Sequence, residues 1–341
     1  MKEVKSSLSL PKKFEAEIAG KKLTIETGRF AAKAQGSCTV QYGDTVVLAT
    51  AVMNKEIKEG IEYFPLLVDY EEKLYAAGKI KGSRFIKREG RPSDEAILTA
   101  RLVDRSIRPL FSEEIRHDVQ VVLTVLSVDQ ENDPDIVSLM ATSAALAISP
   151  IPWAGPISAV RVGLVDGEWV LNPSYEALEK SDLDLVVVGT GDKVLMLEGG
   201  AKEVPEEKIL EGIEYGQKHL KEGMDLIAKL IKEVGQEKMV IEYGEESAEE
   251  KVLREKIEQK IIKYSEEEIV KLLNIADNEE RAWATDELKE RLEELLKEDS
   301  EVSKEERVKS LKLVDEIIIK RARRFVVEQE KRIDGRKTDE I

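Results

Sequence analysis

Seven Lys and Arg side chains stand within residues 84–108: Arg84, Lys87, Arg88, Arg91, Arg101, Arg105 and Arg108. Only four acids accompany them, Glu89, Asp94, Glu95 and Asp104, although the chain as a whole carries a formal net charge of -16. A local reversal of sign in an acidic chain marks a place where an anion can settle. Arginine predominates there, and its planar fork grips phosphate oxygens two at a time. Phe85 and Ile86 lie among the cations in a segment bounded by Gly82 and Gly90. A ring on which a base stacks, flanked by cations that hold phosphates, is the chemistry of sequence-tolerant single-strand binding. The same pattern also fits a solvated helix face whose arginines pair with nearby acids. The residues alone leave both readings open.

The elements that must position these groups are legible. Pro92 and Ser93 followed by Asp94 and Glu95 read as a helix start, with a hydroxyl cap and acids at the positive end of the dipole. Pro109 predicts the stop, because the residue before a proline is pushed out of helical geometry. Between them Ala96, Ala100, Val103 and Ile107 form one apolar stripe, so Val103 is expected to be buried against a sheet. Arg101, Arg105 and Arg108 recur at i, i+4 and i+7 on a different face.

Composition bounds the remaining chemistry. At 341 residues, 42% hydrophobic and 36% charged, the chain has room for about two domains with a real core. No apolar run approaches the ~20 residues of a membrane span, and Met1 to Lys5 carries no apolar signal segment, so a cytoplasmic location is expected. Cys38 is the only cysteine, and His117 and His219 are the only histidines. Disulfides, cysteine-rich metal sites and histidine-based zinc centres are thereby disfavoured. Carboxylates, Lys, Arg and oxygen-bound metal remain.

The first part of the chain is rich in strands. Residues 13–18 and 22–26 flank a turn at Ala19-Gly20, and 36–42 and 45–52 flank another at Gly43-Asp44. Further strands are predicted over 119–128, 157–165, 183–188 and 194–198. A helix is predicted over 136–148, capped by Asp135. Strands and helices mix without strict alternation, which predicts an α+β fold. Residues 206–234 read as one long helix, and 240–243 as a short extended link. From 245 to 330 the sequence is rich in Lys and Glu, with apolar residues at helical spacing as in 284–296 and 308–327, and is expected to form a small helical bundle.

Three motifs are set aside. Gly189-Thr190-Gly191 begins like a dinucleotide loop, but Val194 stands at the third glycine position and strand signal follows, so a hairpin turn is expected. Residues 129–135 resemble a calcium loop, but Pro134 and Met140 replace the required Gly and Glu. Ser138, Ser143 and Ser149 have no base nearby in sequence, and helix packing accounts for them.

Residues 82–111, GSRFIKREGRPSDEAILTARLVDRSIRPLF, closely resemble the pore-loop and helix segment of the polynucleotide phosphorylase (polyribonucleotide nucleotidyltransferase) family. The stretches 28–31 (GRFA), 41–45 (QYGDT), 129–152 and 183–200 agree in order. The resemblance implies an RNase PH-like core over residues 1–235, an all-helical domain over 236–330, and at 331–341 (KRIDGRKTDEI) the opening of a second, truncated core. It implies 3′-to-5′ phosphorolysis of single-stranded RNA by inorganic phosphate, with magnesium, in a ring-shaped homotrimer around a channel. Arg84, Phe85, Lys87 and Arg88 would line the channel entry. Arg91, Arg101, Arg105 and Arg108 would contact phosphate or RNA near a core-core interface. Where many members carry two consecutive aromatics, this chain has Phe85-Ile86, with Arg84 as an added residue.

The family's catalytic motif belongs to the second core: acid, five residues, acid, one residue, lysine. Laid on this chain, the three positions are Leu178, Asp184 and Val186. Two of three are apolar, so this core is expected to be catalytically degenerate, with no metal ligands and with Asp184 as a turn or pairing residue. Two other readings stand beside this one. A stand-alone RNA-binding or scaffolding module would show no phosphate-dependent release of diphosphates from poly(A). A small-molecule kinase of related α+β fold would turn over ATP, but the sequence lacks a glycine loop to cradle its phosphates.

Overall fold

A computed structural model describes residues 11–57, 61, 63–80, 91–241, 248–297 and 302–340. Two compact units result, Met1–Tyr243 and Gly244–Ile341. In the first, β1 (Lys12–Ile18) and β2 (Lys21–Thr27) are joined by Ala19-Gly20, both at positive φ, the turn whose twist matches paired strands. β3 (Gly36–Tyr42) and β4 (Thr45–Ile57) are joined through Gly43 at φ 61°. A Cβ on Gly43 would lie 2.5 Å from both Asn132 Nδ2 and Asp129 Oδ2, so that turn requires glycine.

β5 (Leu66–Glu72), α1 (Asp94–Ile107) and β6 (His117–Ser127) follow. The six strands form one sheet in the order β1-β2-β3-β4-β6-β5, with β5 parallel to β6 and the other pairs antiparallel. β5 was not predicted. It is an edge strand, and its LLVDYEE sequence lacks the alternation of a half-buried one.

α2 (Pro134–Ile148) lies across β3 and β4, and every residue from Asp135 to Ile148 is buried. Its alanines permit the close approach. A Cβ on Gly36 of β3 would stand 2.1 Å from the Ala145 carbonyl oxygen. The helix cap differs from expectation. Asp133 caps it, accepting from the Asp135 N–H at 3.1 Å, because Pro134 takes the first helical position and needs no amide partner. Asp135 is thereby free to turn inward.

The second sheet holds β7 (Ser158–Val165), β8 (Glu168–Leu171), β9 (Leu183–Gly189) and β10 (Val194–Ala201) in the order β10-β9-β7-β8, with the short α3 (Tyr175–Glu179) between β8 and β9. Along β9, Val186 and Val188 enter the main core, while Leu183, Leu185 and Val187 enter a second cluster with Val160, Val162 and Leu220. Both faces of this sheet are covered, which explains the unbroken apolar run of β9.

Residues 206–234 are two helices, α4 (Glu206–Lys218) and α5 (Leu220–Val234), separated at His219. One straight helix could not serve both clusters. Ile209 and Ile213 of α4 pack on the second cluster, whereas Leu226, Ile227 and Leu230 of α5 pack into the main core.

The second unit contains α6 (Ala248–Leu273), α7 (Asn278–Lys297) and α8 (Lys304–Gln329). Their core includes Ile261, Leu292, Leu296 and Val314, all fully buried. Ile333 packs on the same core, and its carbonyl accepts from Arg281 at 3.0 Å. The architecture is therefore an α+β core followed by a helical unit, as the sequence pattern predicts. Of the predicted link over 240–243, residues 242 and 243 lie outside the described residues.

Candidate functional site

The N-terminus of α1 is built as its sequence requires. Ser93 accepts from the Ala96 N–H at 3.0 Å and its hydroxyl donates to Glu72 at 2.7 Å, tying the helix start to the end of β5. Ala96, Val103 and Ile107 are buried, Val103 completely. At the other end Trp153 donates its indole N–H to the Ile107 carbonyl at 3.1 Å, and the Ala154 N–H reaches Leu110 at 2.9 Å. The helix is thus held at both ends, and its outer face has a fixed position.

The cations of this segment have different fates. Arg84, Phe85, Lys87 and Arg88 lie outside the described residues. Arg91 is exposed and has no partner among the described residues. Arg101 and Arg105 line a cleft of about 680 Å³ between α1 and β5, with Asp69, Glu71 and Asp104 also on its walls. Arg101 is exposed and free of partners among the described residues, whereas Arg105 pairs with Glu198 of β10. Arg108 does not border this cleft. It forks onto Asp104 at 2.6 Å through both Nε and a terminal nitrogen, and donates to the carbonyls of Phe64 and Leu66 at 3.3 Å. The hydrogen bond to Asp104 raises its pKa. Three arginines on one helix face therefore become one open, one paired and one locked guanidinium.

The three positions aligned with the catalytic motif separate as well. Leu178 and Asp184 border a second cleft of about 430 Å³, while Val186 is buried in the main core. Asp184 Oδ1 faces Arg161 Nε at 3.3 Å. These residues do not fit a magnesium site: one carboxylate is turned to a guanidinium, and its two companions are apolar. Among the described residues no group of three or more His, Cys, Asp or Glu is placed to hold a metal.

Arg161 is the feature that sequence reading missed. Its terminal nitrogens hold Asp133 and Asp135, each at 2.7 Å, so one largely buried guanidinium serves three carboxylates. Burial, then the neighbouring Asp133, push the Asp135 carboxyl up, against the opposing pull of Arg161. The available signal was a lone arginine in the otherwise apolar SAVRVGLV of β7. The motifs set aside above have structural roles. β9 and β10 form a hairpin closed by the Thr190 N–H donating to the Lys193 carbonyl. Asp129 collects the N–H groups of Asp44, Glu131 and Asn132. Burial alone would raise its pKa, but these donors outweigh it and hold the carboxyl well below its ordinary range. Ser138 and Ser149 donate to carbonyls of their own helix, and Ser143 accepts from Ile157.

Comparison with known proteins gives a consistent relationship. The model of the 3′ exoribonuclease family, domain 1, matches residues 19–152, and that of domain 2 matches residues 155–219. The polyribonucleotide nucleotidyltransferase of Caldicellulosiruptor saccharolyticus is 45% identical over 332 residues, covering 96% of this chain and 45% of that protein. That of Heliobacterium modesticaldum is 46% identical over 329 residues, with the same coverage. That of Geobacillus kaustophilus is 44% identical over 330 residues, covering 96% and 44%. The chain spans about half the length of these curated relatives. The crystal structure of rice Rrp46 superposes with a TM-score of 0.49 at 16% identity, covering 64% of this chain and 94% of that one. Among the described residues no helix is long and apolar enough to cross a membrane.

Proposed function

The chain belongs to the 3′ exoribonuclease family, and on that premise we propose that it supplies one core and the helical unit of an RNA-degrading phosphorylase. An oxygen of inorganic phosphate attacks the phosphorus of the 3′-terminal phosphodiester of single-stranded RNA. The new P–O bond forms as the bond to the preceding nucleotide's 3′ oxygen breaks, and that oxygen takes up a proton. A nucleoside diphosphate leaves, and the RNA is one nucleotide shorter. Run backwards, the step polymerises diphosphates. The observation that carries this reading is the agreement with both family domains, in order, along residues 19–219.

Leu178, Asp184 and Val186 leave this core without a metal-and-lysine set, so magnesium and the catalytic groups belong to a second RNase PH-like core, which residues 331–341 would begin. This core, over 1–235, acts by holding RNA, with the helical domain over 236–330 beside it in sequence. Arg84, Phe85, Lys87 and Arg88 grip the strand at the entry of a homotrimeric channel in the cytoplasm. Arg101 and Arg105 meet phosphates from the cleft beside α1, Arg91 meets them just ahead of the helix start, and Arg108 takes part by fixing the end of that helix. Apolar side chains at two of the three catalytic positions also favour a second reading, a non-catalytic RNA-binding or scaffolding module. The deciding experiment is magnesium- and phosphate-dependent degradation of poly(A) by the purified chain, alone and with a second core in trans. Little activity alone and restored activity in trans is expected. Full activity alone overturns the assignment of a degenerate core, and none in either case favours the scaffold.

A further inference from the structure

Residues 317–327 read IIIKRARRFVV, with four cations and no acid. The unit that holds them is otherwise acidic, with 22 Lys and Arg against 29 Asp and Glu over residues 244–341. Lys320, Arg323, Arg324 and Val327 recur at i, i+3, i+4 and i+7 on α8, so they share one face. All four are exposed, and they face away from Val314, Ile318, Ala322 and Phe325, which pack in or against the core of the unit. Arg321 lies on the flank and pairs with Glu266 of α6 at 2.6 Å.

Pairing is uneven across the unit, and Lys256 and Lys263 of α6 also hold no carboxylate among the described residues. Lys271, Lys289, Arg291 and Lys297 of the same unit each hold a carboxylate at 3.3 Å or less. Lys320, Arg323 and Arg324 hold none among the described residues, although Glu316 and Glu328 stand one turn away along the helix. A surface built only for solubility intersperses the two signs. A helix face that gathers one sign and leaves it unpaired complements a polyanion. Ile319 and Val327, 53% and 79% exposed, add apolar surface beside the cations.

We propose that this face of α8 is a docking surface for the phosphate backbone of single-stranded RNA, separate from the cationic segment that leads into α1. The proposal rests on the reading of the chain as part of an RNA phosphorylase. It adds a second contact on the helical unit, one that holds the strand without reading its sequence. Two of the three cations are arginines, whose forks suit phosphate oxygens. No aromatic ring lies on the face, so contact is mainly electrostatic.

The test is a Lys320→Ala, Arg323→Ala, Arg324→Ala variant of the whole chain. Binding to labelled poly(A) and poly(U) is measured by fluorescence anisotropy across a salt series. Alanine favours helix, so the far-ultraviolet circular dichroism should match wild type. Each lost phosphate contact should lower the slope of log affinity against log salt by about 0.7, hence by about 2 in total, equally for both polymers. A control variant, Lys271→Ala, Arg291→Ala, Lys297→Ala, makes the same charge change at paired positions and should keep the wild-type slope. Unchanged affinity and slope in the first variant overturn the proposal, as does an equal loss in the control. If the first variant loses binding to polyglutamate but keeps RNA, the face serves an acidic protein and the proposal again fails. Unchanged RNA affinity together with phosphorolysis restored by a second core sinks only this inference. A wild-type chain that holds no RNA and supports no phosphorolysis sinks the reading beneath it as well.

Discussion

Arg161 Nε stands 3.3 Å from Asp184 Oδ1, and neither atom has a hydrogen-bond partner elsewhere. The two terminal nitrogens of the same guanidinium hold Asp133 and Asp135 at the start of α2. One side chain of β7 therefore ties β9 to the helix that fills the main core. Asp184, the one acid left at the positions of the catalytic motif, is engaged in structure.

Replacing Arg161 should consequently damage the fold more than any arginine of α1. Arg161→Met leaves three carboxylates facing one another without a cation. Loss of one partner from a buried pair costs about 3 to 5 kcal/mol. The lower end applies here, because the Asp184 side chain is 42% exposed. A urea-unfolding free energy within about 1 kcal/mol of wild type would show that the cluster contributes little.

The same cluster predicts a pH dependence. Burial and Asp133 raise the Asp135 carboxyl, so the folded chain holds that proton more tightly than the unfolded one. For an acid shifted upward, the contribution to stability is present at low pH. It is lost as pH rises above the ordinary value of about 4. Burial raises Asp184 in the same sense. Stability should fall from pH 5 to 7.5, a window in which Asp129, shifted downward, stays ionised in both states. Asp135→Asn should flatten that fall, and chemical unfolding at the two pH values measures it. A variant with the wild-type slope assigns the dependence to other groups.

On α1, Arg101 and Arg108 should behave oppositely. Arg101→Ala removes an exposed side chain without partners and should change stability by less than about 0.5 kcal/mol. On the proposed function, affinity of the chain for poly(A) should nevertheless drop. Arg108→Ala strips Asp104 and two carbonyls of their donor and should cost about 1 kcal/mol, limited by partial exposure. Thermal unfolding with an RNA titration separates the two. Reversed effects would place the anion at Arg108.

Three further substitutions probe the packing of α1 and α2. Val103→Asp puts a charge at a fully buried position and should cost several kcal/mol, on the order of a failed fold. Gly36→Ala drives a Cβ into the Ala145 carbonyl and should cost about 1 to 3 kcal/mol by overpacking. Arg105→Ala, which breaks only a half-exposed pair with Glu198, should stay within about 1 kcal/mol of wild type. If Arg105→Ala unfolds the core as Val103→Asp does, Arg105 is a structural residue.

Local chemistry was legible along the chain. Ser93 caps α1, Ala19-Gly20 and Gly43-Asp44 turn hairpins, and Val103 is buried, because each depends on residues within a turn or two of its neighbours. The sequence determined the order of the α+β core and the helical unit, and the family to which they belong. Only tertiary structure decided what the charges do. Arg101, Arg105 and Arg108 share a helix face, yet Glu198 from β10 takes one, and the distant carbonyls of Phe64 and Leu66 join the local Asp104 in taking another. Asp135 looked like a cap until Pro134 gave that role to Asp133 and Arg161 claimed the carboxylate from 26 residues away. β5 escaped notice because an edge strand is fixed by the partner beside it, and the long helix broke at His219 because two cores drew its halves to different faces. Periodicity records which residues leave water; the partner of a charge is set by contacts that close only when distant segments meet.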